Sequence, residues 1–113
     1  MHNSPTTFKI NTYRWGLVSM QESIELREAE EAKAKAKVAR TGKPVTIRIN
    51  VGIYDVFTTS GHYQVEKELE MVNGYGQRET GWWICSEVIN GCYEQMEVIH
   101  PTLREAKDFL SSL

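Results

Sequence analysis

Residues 19–44 read SMQESIELREAEEAKAKAKVARTGKP, one helical run with a start signal and a stop signal. Ser19-Met20-Gln21-Glu22 has the form of a capping box, in which the Ser19 hydroxyl accepts from the first turn and Glu22 reaches back. Gly42 ends the run and Pro44 forbids its return. Glu22, Glu25, Glu28, Glu30 and Glu31 fill the first half, and Lys33, Lys35, Lys37 and Arg40 the second. That order complements the helix dipole at both ends, and Glu31 to Lys35 is a favourable i,i+4 pair. The clearest stripe is Ala29, Ala32, Ala36 and Ala39, with Met20, Ile24 and Val38 on another side. Small side chains bury little area each, so this stripe predicts a flat partner.

Beyond Pro44 the period changes from helical to alternating. Residues 44–57 read as the first strong strand region, with Val45, Ile47, Ile49 and Val51 on one parity and Tyr54 and Val56 on the other after Gly52. A glycine inside a strand predicts a bulge or bend. Residues 62–72 read as a second strand, with Tyr63, Val65, Leu69 and Met71 on one side and Gln64, Glu66, Glu68 and Glu70 on the other. Residues 73–81 hold three glycines and read as a loop, followed by strands over 82–89 and 92–99. Asn90-Gly91 between those two is the strongest turn signal in the chain, the hairpin pair. Thr102-Leu103-Arg104-Glu105 is a second capping box, and the helix behind it buries Leu103, Ala106, Leu110 and Leu113, with Phe109 beside them. The fold class is therefore α+β: an antiparallel four-stranded meander with one long helix before it and a short helix after it. Residues 8–16 alternate weakly and are a candidate extra N-terminal edge strand.

At 113 residues the chain is read as a single small α+β domain over 1–113, with 1–7 a loose leader that lacks the marks of a signal peptide. Its apolar runs fall far short of a membrane span. Its supply of aromatic and branched residues argues against disorder. The charge is uneven: residues 1–60 carry nine Lys/Arg and six Asp/Glu, and residues 61–113 four and nine. The Asn90-Gly91 turn sets Ile89 opposite Cys92, Glu87 opposite Glu94, Cys85 opposite Met96 and Trp83 opposite Val98. Cys85 and Cys92 then sit roughly 13 Å apart along the strands, beyond disulfide reach.

Each chemical reading has a plain competitor. The facing pair Glu87 and Glu94 suggests a metal or a proton-transfer site, which with His62 would make a small enzyme, but both carboxylates near a hairpin end also splay simply into water. Lys33, Lys37 and Arg40 share a helical face that suits phosphates, whereas the pI near 5.9 lies below the usual basic footprint. The Gly-x-Gly at 74–76 does not open a helix, so it does not read as a nucleotide loop. Trp82 and Trp83 point to opposite faces, which leaves one for the core and one for a partner.

The expected function is non-catalytic protein binding by a cytoplasmic homodimer. The role fits a small inhibitor or adaptor of a larger protein machine, of the phage and plasmid accessory kind that includes CRISPR inhibitors. The expected partner surface is Glu66, Glu68, Glu70, Tyr75, Arg78, Trp82 and Trp83. The alternative is nucleic-acid binding through Lys33, Lys37 and Arg40 with the sheet aromatics. No catalytic residue, metal or cofactor is expected.

Overall fold

The computed structural model describes residues 8–113, and the leader expected over 1–7 lies outside them. In chain order the elements are β1 (Lys9–Thr12), β2 (Gly16–Ser19), α1 (Met20–Thr41), β3 (Val45–Asn50), β4 (Ile53–Thr58), β5 (Gly61–Met71), β6 (Gln77–Ile89), β7 (Cys92–His100) and α2 (Leu103–Ser111). β3 to β7 form one antiparallel meander in sequence order, and β1 and β2 a separate hairpin. The class is α+β, with one long helix and one short C-terminal helix. Among the described residues no helix is long and apolar enough to cross a membrane.

The long helix begins and ends where its signals stand. Ser19 Oγ accepts from the Glu22 N–H at 3.0 Å, and Glu22 Oε1 accepts from the Ser19 N–H at 3.2 Å. Gly42 closes the other end in the left-handed conformation, donating its N–H to the Val38 carbonyl at 2.8 Å. In α2, Thr102 Oγ1 accepts from the Glu105 N–H at 3.1 Å.

Several expectations are corrected. The meander has five strands, because residues 44–57 fold as β3 and β4 around a turn at Val51 and Gly52. Gly52 has φ +73°, a conformation that side chains avoid, so it reverses the chain instead of merely bending it. The N-terminal stretch pairs with β2 rather than with the sheet edge. The loop expected over 73–81 shrinks to a tight turn, where Val72 N–H reaches the Gly76 carbonyl at 3.0 Å, and Arg78 lies within β6. The hairpin register holds from Ile89↔Cys92 to Ser86↔Gln95, then slips by two residues, so Trp83 faces His100 and not Val98.

The alanine stripe also faces the wrong way for its expected role. Ala29, Ala32, Ala36 and Ala39 are exposed, and α1 packs through Ala34 and Val38. Glu31 turns back to Arg27, 3.5 Å away, rather than forward to Lys35. Ala106 and Leu110 of α2 are fully buried, whereas Leu113, beyond the end of the helix, is exposed.

The two helices cover opposite sides of the sheet. Cross-strand partners share a face, so Tyr54, Val56, Tyr63, Val65, Trp83 and Cys85 point one way. There they form the main core with Ala106 and Leu110 of α2. Val45, Ile47 and Phe57 point the other way and pack with Ala34 and Val38 of α1. The α2 helix spans β4 to β7, whereas α1 rests on β3 and β4. On the α1 side β5 is covered at His62, whose side chain is 11% exposed, whereas Trp82, Tyr93 and Ile99 on β6 and β7 are left exposed.

Candidate functional site

Strand alternation and pairing decide what that accessible side carries. Glu66 pairs with Ile84, Ile84 with Ile99, Ser86 with Gln95, and Val88 with Tyr93, all on the α1 side. A bulge sets Glu68 against Thr80, Gly81 and Trp82 together. Trp83 is 9% exposed and packs in the core beside Tyr54, with ring centroids 6.0 Å apart. Trp82, the next residue along the strand, points the other way and is 41% exposed. Ile99 and Tyr93 are exposed with it.

The expected partner residues fall into three groups. Glu66, Glu68, Glu70, Arg78 and Trp82 share the α1 side. Glu70 is held by Arg78 at 2.6 Å, and Glu68 accepts from Thr80 Oγ1 at 3.0 Å. Tyr75 stands at the tip of the β5–β6 hairpin, 94% exposed, beyond the covered part of the sheet. Trp83 belongs to the core and offers no partner surface.

The candidate acid–base constellation comes apart. Glu87 and Glu94 do face each other, as the register requires. Glu87 also pairs with Tyr63 on the α2 side, whereas His62 pairs with Phe57 on the α1 side. The sheet therefore separates His62 from both carboxylates. Cys85 and Cys92 are unlinked, the first buried and the second exposed. Burial pushes the Cys85 thiol up to about 11.

Sequence reasoning missed a buried charge network beside this surface. Asp55, on β4, is 1% exposed and faces α1. Its Oδ2 accepts from Arg27 Nη2 at 3.2 Å, and its Oδ1 lies 3.1 Å from His62 Nε2. The His62 ring stacks on Phe57 at 4.2 Å. Burial lowers the Arg27 pKa, but Asp55, Tyr93 and Glu31 outweigh it and hold the guanidinium above its ordinary value. Glu31, Asp55 and His62 bring ligand-type atoms within 4.8 Å of one another, a donor set that suits a divalent metal. Arg27 already lies between the two carboxylates and supplies the cation they need. The cluster is best read as a lock between α1 and the sheet. Its signal was Asp55 itself, a lone acid inside the apolar run Ile53-Tyr54-Asp55-Val56-Phe57.

The basic residues of α1 converge as well. Lys33, Lys37 and Arg40 line a groove of about 460 Å³ with Arg14, Glu30, Ala34, Val45 and Ile47. Arg14 was not foreseen, and it reaches the groove because the β1–β2 turn folds back onto α1. The Arg14 side chain pairs with Glu30 at 2.6 Å and donates to the Arg48 carbonyl at 3.1 Å. No family model, curated protein or solved structure matches the chain.

Proposed function

We propose that this chain is a non-catalytic protein-binding module that docks through the α1 side of β5 to β7. The observation that carries the reading is Trp82. It stands exposed beside Ile84 and Ile99, with Glu66 and Glu68 along its border and exposed Tyr93 farther along the same side of the sheet, near the β6–β7 turn. A large aromatic on an apolar patch is a hot-spot anchor, and a carboxylate border steers a basic partner toward it. The reading extends to an inhibitor or adaptor of a larger protein machine, of the phage and plasmid accessory kind. It also extends to self-association as a homodimer, for which the same exposed face is the natural contact.

The test is capture from the native host with three forms of the chain. Wild type should retain a discrete partner, and Trp82→Ala and the triple change Glu66→Lys, Glu68→Lys, Glu70→Lys should each lose it while staying folded. Full retention by both variants would overturn the proposal. The nucleic-acid alternative gains support from the convergence of Lys33, Lys37 and Arg40. It loses support from distance: Trp82 and Tyr93 lie on β6 and β7, three to four strands from β3 and so roughly 14–19 Å across the sheet. Salt separates the two, because binding to phosphates weakens steeply as salt rises.

A further inference from the structure

We infer that the groove between α1 and the outer edge of β3 takes a short acidic peptide as an added strand. This site is separate from the Trp82 surface and stands or falls independently of it. Among the described residues β3 is an edge strand, paired on one side only, with β4. The Arg48 carbonyl accepts from Arg14 on the free side, so it points outward. Strand alternation then turns the N–H and carbonyl of Thr46 outward too, toward the open edge. Those are the groups that a new strand pairs with.

The charge of the groove selects the occupant. Its single carboxylate, Glu30, is engaged by Arg14 and by the Trp15 indole N–H. Among the described residues Lys33, Lys37 and Arg40 make no ion pair, so their charge is available to a ligand. Lys33 and Lys37 are one helical turn apart, roughly 6 Å along the axis. Same-face residues of an extended peptide repeat every 6–7 Å or so, which sets alternate carboxylates against successive cations. Side chains beside Val45 and Ile47 in the added strand point to the α1 side, where those cations stand.

The groove floor argues against a nucleic acid. Ala34, Val45 and Ile47 are aliphatic, and none of the lining residues is aromatic. Single-stranded bases bind by stacking on aromatic rings, and this groove has none to offer. An unpaired strand edge offers both N–H and carbonyl groups, and a phosphate backbone can use only the donors, whereas a peptide strand pairs with both. The Arg14 clamp at Arg48 limits the open edge to its first few residues, so the peptide that fits is short.

The probe is the fluorescein-labelled heptapeptide Gly-Glu-Val-Glu-Val-Glu-Gly, titrated into the full chain and followed by anisotropy. Saturable binding is expected. Copies N-methylated at alternate backbone nitrogens, made in both phases, keep the charge but remove the strand hydrogen bonds. One phase should weaken by about tenfold or more. Lys33→Ala with Lys37→Ala should weaken the parent peptide about tenfold, and Trp82→Ala should leave it unchanged. Absence of saturable binding, equal binding by both methylated phases, or preferential binding of a ten-residue oligothymidylate would each overturn the inference.

Discussion

The two faces of the sheet are built on different chemistry. The α2 side is a dry cluster, in which Val56, Val65, Cys85, Ala106 and Leu110 have no exposed surface. The α1 side is divided. Over β3 and β4 it carries a small apolar contact, Ala34, Val38 and Phe57, and the Asp55 ion network. Over β6 and β7 it remains accessible, with Trp82, Tyr93 and Ile99 exposed. The comparison teaches that α2 supplies the stability that lets the other side keep an apolar patch in water. A nine-residue helix does this because its strongly amphipathic face lies across four strands. The longer α1, with charges on most of its surface, is an arm that positions the basic groove and the network.

If that division is right, the largest loss comes from the α2 side. Leu110→Ala removes a fully buried side chain and should cost about 2–5 kcal/mol in denaturant unfolding. On the α1 side, Asp55→Ala leaves Arg27 and His62 without their shared acceptor. Arg27 keeps a third of its side chain in water, so the expected cost is smaller, about 1–3 kcal/mol. An Asp55→Ala loss as large as that of Leu110→Ala would erase the distinction between the faces.

Part of this was legible in the sequence and part was not. Both helix starts were readable because a capping side chain and its target are three residues apart. The Asn90-Gly91 register was readable as far as Ser86, since a two-residue turn fixes the pairing next to it. It failed at Trp83 because the slip between Ile84 and Ser86 answers to α2 packing on the far side. His100 is brought opposite Trp83 and against Phe109, 4.9 Å between ring centroids. The alanine stripe misled because helix periodicity cannot say which face a sheet will take. Val38 and the reach of Arg27 to Asp55 decided it, and Asp55 is 28 residues away in the chain. The acidic row was readable as one face from strand alternation, but which of Trp82 and Trp83 joins it was not, because that depends on the β5–β6 register. Arg14 in the groove was not, because it comes from a hairpin that folds back.

Two smaller effects sharpen the picture of the α2 side. His100 Nε2 is buried with no hydrogen-bond partner among the described residues. His100→Phe keeps the ring against Phe109 and removes the unsatisfied atom, so the unfolding midpoint should rise, by about 1 kcal/mol in stability. Alkaline titration reads Cys85. In the unfolded chain the thiol ionises from its ordinary 9.0, and in the fold it stays protonated up to about 11. The folded state therefore holds the proton more tightly, and stability present below pH 9 falls as pH rises toward 11. Cys85→Ala should flatten that slope, and exposed Cys92 should alkylate readily at neutral pH while Cys85 waits for unfolding.

The most direct test of the central claim sets Trp82→Ala beside wild type, with the unfolding midpoint and partner capture measured on the same preparations. A docking residue on a structurally spare face should cost roughly half a kcal/mol or less and remove the partner. Loss of stability approaching that of Leu110→Ala, or undiminished capture by a folded Trp82→Ala protein, would contradict the account.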